Sequence, residues 1–300
     1  MANQTKNMSL RGSLSIFFSA SVWGLFWIPL HYFDSNGLQA LWAVTAINFA
    51  GLIIAVPAML LSDEKPGKHL KWLVVIGVGM GASNILYFTA MILTEVVRAV
   101  FLFYLLPLWA TLFSWAIFGE TIGRARLLAL GVAVLGIWLL LGAGGWPIPK
   151  NLGDVFALLS GAGWAFGLTM IRGRSGLGAL STTVSGLFFA FAGAAVLGIV
   201  LSGVLPELQP AFPNSTVIHH LVLPVLAFGI LVLWPTLFGQ FWGAQHVAAT
   251  VAALLTMSEI LVATVSTTLM GEAGMSLVSW FGAGLILLAI FVDLFGDANA

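Results

Sequence analysis

The chain contains no cysteine, which excludes disulfides, thioether haem attachment and thiolate metal sites. Charge is nearly as scarce. Only 7% of the 300 residues are Asp, Glu, Lys or Arg, against about 25% in soluble domains. Eleven acidic residues balance eleven basic ones, so no net positive charge points to nucleic acid. There is no Gly-rich P-loop, which argues against direct ATP hydrolysis. No Lys or Arg falls at the centre of an apolar run, which disfavours phosphorylated substrates such as sugar nucleotides. Alternating strand patterns are absent as well, so a β-barrel is not expected.

What remains is hydrophobic. Apolar residues make up 60% of the chain, the composition of an integral membrane protein. A spanning helix needs about 20 apolar residues to cross a hydrocarbon layer of roughly 30 Å. Charged or Pro/Gly/Asn-rich breaks divide the sequence into ten such segments: 12–32, 38–61, 70–93, 96–118, 124–142, 153–171, 178–203, 217–240, 246–269 and 276–294. The first apolar run, Leu14 to Leu30, follows Lys6 and Arg11. It is too long for a signal-peptide core and no small-residue cleavage site follows it, so it reads as the first spanning helix. With the N-terminus inside, nine basic residues (Lys6, Arg11, Lys65, Lys68, Lys71, Arg124, Arg126, Arg172, Arg174) fall on the inner side, and only Arg98 and Lys150 on the outer. The positive-inside rule then predicts a multi-pass protein of the cytoplasmic (inner) membrane with both termini cytoplasmic.

Two short patterns recur. Ser19-x-x-x-Trp23 returns as Ser160-x-x-x-Trp164, and Phe118-Gly119-Glu120 returns as Met270-Gly271-Glu272; the offset grows from 141 to 152 residues, and the polar stretch Pro206 to Thr216 supplies the difference. The chain therefore reads as one five-helix unit written twice, residues 1–146 and 147–300. An odd number of helices per unit inverts the second copy relative to the first. The predicted fold is all-α, with ten transmembrane helices as two inverted five-helix repeats around a central cavity, an architecture used by secondary transporters. An ancestral duplication in a structural or enzymatic membrane protein is the competing reading.

The Ser-x-x-x-Trp-Gly of the first segment, Leu106-Pro107 in the fourth, Phe118-Gly119-Glu120 with its basic loop, and the Gly131/Gly136 helix resemble EamA-type members of the drug/metabolite transporter superfamily. Similar marks return at Trp164 and from Gly271-Glu272 to Gly284. The resemblance implies ten helices, a central cavity and export of small metabolites such as amino acids. With 12 Trp and 22 Phe, the chain most resembles the bacterial aromatic amino-acid exporters. One departure stands out: the 152-residue offset places Glu259 where the second unit would echo Pro107.

Several residues carry candidate chemistry. Asn84 and Tyr87 are three apart and Ser83 and Tyr87 four apart, so the three share a helix face near the centre of the third segment. Tyr104 lies at similar depth in the fourth. Buried amides and phenols need partners or water, so this face looks into the bundle, either lining a cavity or bonding between helices. Trp23 and Trp164, partners under the repeat, sit mid-membrane, where an indole N–H needs an acceptor; stacking on a ligand and plain packing are both open. Glu259 is the only carboxylate at a segment midpoint, on a polar stripe with Thr256 and Ser266. It reads as a proton carrier or a contact to a substrate ammonium, with a hydrogen-bonded strut as the alternative. Pro107 frees a backbone carbonyl and is the expected hinge. Arg98 could attract a carboxylate at the outer mouth or snorkel. His31, His219, His220 and His246 lack partners at metal-ligand spacing, so neither metal nor cofactor is expected. Gly77 and Gly81, and Ala190, Ala194 and Gly198, are spaced for close helix packing.

Together these readings predict a non-enzymatic carrier, a monomer or weak dimer in the bilayer. It would export small hydrophobic metabolites, above all aromatic and other apolar amino acids, by alternating access. The alternatives are a multidrug exporter of hydrophobic cations that uses Glu259, and a passive channel. An intramembrane enzyme would need a second catalytic group near Glu259, and the sequence offers none.

Overall fold

A computed structural model describes residues 2–141, 148–174, 176–207, 209–270 and 276–296, and every regular element among them is helical. The helices are α1 (Ala2–Trp23), α2 (Trp27–Ser35), α3 (Ala40–Leu60), α4 (Leu70–Leu93), α5 (Val96–Phe103), α6 (Leu106–Phe118), α7 (Arg124–Leu140), α8 (Leu152–Arg172), α9 (Ala179–Val204), α10 (Ser215–Phe228), α11 (Trp234–Ala244), α12 (Ala249–Thr256), α13 (Ser258–Leu269) and α14 (Leu277–Gly296). Taken as continuous segments, eight are long and apolar enough to cross a membrane. The sequence predicts ten. Of the remaining two, α7 has 17 residues and rises only about 25 Å, while α14 packs along it. Large apolar side chains such as Phe18, Leu223 and Phe281 point outward, as expected where the solvent is lipid. Gly271-Glu272, half of the second recurring pattern, lies outside the described residues.

The fourth and ninth segments are broken, contrary to the continuous helices expected. The first break falls at Tyr104–Leu105, between α5 and α6, and the second at Met257, between α12 and α13. At both, backbone bonding tightens to a residue three back: Leu105 N–H donates to Leu102 at 3.4 Å and Met257 N–H to Leu254 at 3.0 Å. Pro107 occupies the first turn of α6, where its missing N–H leaves no vacancy in the ladder. Its carbonyl accepts from Thr111 Oγ1 at 2.9 Å. The eighth segment is distorted differently. Gly229–Leu233 winds as a π-helix just ahead of Pro235, and Thr236 Oγ1 donates to Val232 at 2.8 Å, engaging a carbonyl at the distortion.

Gly119 explains one recurring motif. It ends α6 with φ +67°, its N–H bonded to Trp115 and that of Glu120 to Ser114, a left-handed cap that glycine adopts without strain. Packing follows the small residues. Gly81 brings α4 onto the backbone of α9, where a Cβ would lie 2.9 Å from the Ala190 nitrogen. At the crossing of α7 and α14, a Cβ on Gly136 would stand 2.9 Å from the Gly282 oxygen and 3.0 Å from the Ile286 nitrogen. Because backbone cannot yield as a side-chain tip can, Gly136→Leu is expected to cost about 1–3 kcal/mol, read as a lower thermal midpoint in detergent. An unchanged midpoint would show that the two helices do not need this approach.

The packing partners form matched pairs. α4 packs on α8 and α1 on α11; α5 and α6 pack on α8, and α12 and α13 on α1. The pairs α3 with α9, α7 with α14, and α6 with α12 complete the bundle.

Candidate functional site

The bundle encloses a cavity of about 740 Å³. Trp23, Trp164, Phe241 and Met80 lie deep in it, and it extends to Val96 and Val97, both exposed, and to Leu141 and Thr267. At the opposite end the helices close. Ser15 Oγ donates to Gly239 O at 2.7 Å, Ser258 Oγ to Phe17 O at 3.1 Å, and the hydroxyls of Thr111 and Thr250 meet at 3.0 Å. The two broken helices thus touch on one side of their breaks, through α6 and α12. On the other side α5 (Val96, Val97, Val100) and α13 (Ile260, Ala263, Thr264, Thr267) form facing walls of the cavity.

Among the lining residues Glu259 alone carries charge. It is the second residue of α13, immediately past the break, so the turn at Met257 aims it at the cavity. Part of the donor capacity of the polar lining is committed. Asn84 Nδ2 donates to Met80 O at 3.1 Å and Asn48 Nδ2 to Val44 O at 2.8 Å. Thr264 and Thr267 donate to Ile260 and Ala263, at 2.7 and 2.9 Å. The polar lining thus offers acceptors (the carboxylate, two amide carbonyls and two hydroxyls whose protons are committed) beside the unbonded indole N–H groups of Trp23 and Trp164. In hydrocarbon such a surface complements an amphipathic group, with Glu259 as its one site for a cation.

Of the residues predicted from sequence, Trp23, Trp164, Asn84, Tyr87 and Glu259 line the cavity. Trp23 and Trp164 meet edge to face, with ring centroids 6.3 Å apart, and neither indole N–H has a partner. Ser83 does not reach the cavity. It is one position, about 100°, round the helix from Asn84, and it faces α8, donating to Ser160 O at 2.8 Å while Ser160 returns a bond to Ser83 O at 2.8 Å. Tyr104 also stands off the surface, 2% exposed behind Phe103, whose ring lies 4.6 Å from Tyr87 and 5.0 Å from Tyr104. Its hydroxyl lies beside the Glu259 carboxylate. Thr256 leaves the stripe drawn from sequence because the break separates it from Glu259; it is buried in α12 and accepts from Gln240 Nε2 at 3.2 Å. Ser266 accepts from Trp27 Nε1 at 3.0 Å, joining α13 to α2.

Sequence reasoning missed Asn48, Thr264 and Thr267. Asn48 interrupts an otherwise apolar segment, a signal that was available; the two threonines become visible only once α13 has its own register. Arg98 is not free for a substrate carboxylate: its Nε donates to Asp154 at 2.6 Å. No cluster of His, Asp or Glu suited to a metal occurs among the described residues.

Residues 10–142 match the EamA-like transporter family. The match covers less than half of the chain. No curated protein matches the chain. The crystal structure of another protein aligns with a TM-score of 0.72 over 94% of this chain and 97% of the other, at 22% identity. That likeness speaks for the fold alone.

Proposed function

We propose that the chain is a secondary transporter for small amphipathic amines, above all aromatic and other apolar amino acids, exported by alternating access. The position of Glu259 as the one charged residue lining an otherwise largely apolar cavity carries this reading. A substrate ammonium meets the carboxylate, and its hydrophobic body lies against Trp23, Trp164 and Phe241, where each well-placed ring adds about 0.5–1.5 kcal/mol beyond burial. The family match over residues 10–142 supports transport as the activity.

Inverted repeats supply the motion. Exchanging the two halves turns α4 on α8 into α11 on α1, and α5 and α6 on α8 into α12 and α13 on α1, which is the matched packing described above. The breaks also correspond: Leu105 and Met257 are 152 residues apart, the offset of the second sequence pattern. On this reading α7 and α14 are the fifth and tenth spanning helices. Positive-inside charge puts Val96, Val97 and the mouth outside. The alternate state brings α5 against α13 and parts Thr111 from Thr250, as exchange of equivalent halves requires.

A second reading, export of hydrophobic cations, is favoured by one observation: no Lys, Arg or His lines the cavity to receive a carboxylate. Counterflow in proteoliposomes separates the two. Loaded with unlabelled phenylalanine, they are expected to accumulate labelled phenylalanine and phenethylamine, but not phenylpropionate, which lacks the amine. Carriage of the amine without the amino acid would establish the cation reading. Carriage of sugars but of neither amine would overturn both, and unsaturable flux would indicate a channel.

A further inference from the structure

Amine transport through Glu259 creates a second requirement: when the substrate has left, the empty carrier must reorient with an uncompensated carboxylate inside the membrane. Among the lining residues no cation is available to meet it. What the structure places there is Tyr104. It occupies the break between α5 and α6, and Glu259 stands two residues past the break between α12 and α13. Each interruption thus carries one member of the pair. Tyr104 is 2% exposed, and its hydroxyl lies beside the Glu259 carboxylate. The only other phenol near Glu259 is Tyr87, which lines the cavity and would be covered by substrate.

We infer that Tyr104 is a positioning residue for the return step: its O–H donates to Glu259 when the carrier is empty, standing in for the substrate ammonium, and releases the carboxylate when an amine binds. The side chain does not line the cavity, and the Phe103 ring packs against both it and the lining residue Tyr87. The proton stays on Tyr104 throughout, so no charge moves and no coupling ion is consumed. Held by the hydroxyl from one break, the carboxylate at the other would tie the two pivots together while the site is vacant.

The inference rests on the proposed amine transport, and one comparison tests both. Exchange cycles only the loaded carrier, whereas net efflux also needs the empty return. In proteoliposomes loaded with labelled phenethylamine or phenylalanine, Tyr104→Phe is expected to lower net efflux at least tenfold while leaving exchange within about threefold of wild type. Tyr87→Phe is expected to lower both together, because it alters the cavity surface. Unchanged thermal unfolding in detergent confirms that Tyr104→Phe is folded; if it is not, Tyr104→His, which restores a donor at the break, is expected to rescue net efflux relative to Tyr104→Leu. Equal loss of exchange and efflux in a folded Tyr104→Phe, no change in either, or selective loss of efflux in Tyr87→Phe would overturn the inference and leave amine transport standing. Absence of exchange in the wild-type protein overturns the proposed function, and this inference with it.

Discussion

Glu259→Gln is expected to weaken binding of an aromatic amine by roughly 5- to 15-fold, the loss of about 1–1.5 kcal/mol that follows when a charge-assisted hydrogen bond becomes a neutral one. The effect should be confined to ligands with an ammonium group. Gln keeps the volume and one acceptor oxygen, so neither cavity shape nor the aromatic floor of Trp23, Trp164 and Phe241 changes, and affinity for a neutral aromatic alcohol of the same size should hold within about threefold. Folding should not suffer either. A carboxylate placed among apolar groups costs free energy that an amide does not, so the variant should unfold at the wild-type temperature or above. Equilibrium binding of labelled phenethylamine and of phenethyl alcohol, measured side by side in detergent, checks the prediction. Equal affinity for the amine before and after substitution would mean that Glu259 is a strut rather than a binding group.

The same residue marks how far the sequence could be read. Its charge in an apolar run announces a polar site, since an acid at mid-membrane needs a reason to be there, and the mid-membrane Trp23 and Trp164 announce that the two halves meet at their centres. Gly119 announces a helix end. What the sequence hides is the winding of the chain at Met257. No Gly or Pro stands at that residue, and Thr256, Glu259 and Ser266 look like one stripe until the break splits them between α12 and α13. At the break, α12, buried except at Val251, packs on α6, a tertiary constraint with no local signature. Ser83 misleads for a related reason: helical periodicity groups it with Tyr87, but only the position of α8 decides that its hydroxyl turns to Ser160. Pairings such as Arg98 with Asp154, 56 residues apart, are likewise set by which helix ends the fold brings together.

That pairing should be the most expensive polar contact to break in the bundle. Asp154 is fully buried at the start of α8 and accepts from Thr94 Oγ1 at 2.7 Å, Arg98 Nε at 2.6 Å and the Lys150 N–H at 2.8 Å. Arg98 also donates to the Ile148 carbonyl, and Asn151 caps the helix by accepting from the Asp154 N–H at 2.8 Å. An acid in the first turn of a helix gains further from the helix dipole. Arg98→Met or Asp154→Leu alone strands one buried charge and is expected to cost about 3–5 kcal/mol, whereas the two substitutions combined remove both charges and should recover most of that loss. Thermal unfolding in detergent of the four proteins, treated as a double-mutant cycle, measures the coupling; additive losses would show that the pair acts through packing alone. Transport should respond differently from stability. Arg98 lies on α5 between Val97 and Val100, which line the cavity, so the ion pair anchors that wall to α8 while the opposite wall, α13, packs mainly on α1 and α12 and is tied to α2 through Trp27. The apolar double variant keeps the fold but gives up the directional bonds that hold α5 in place. It should therefore unfold near the wild-type temperature yet bind amines less tightly, and that dissociation of stability from affinity distinguishes a clamp on the substrate cavity from a simple staple between the halves.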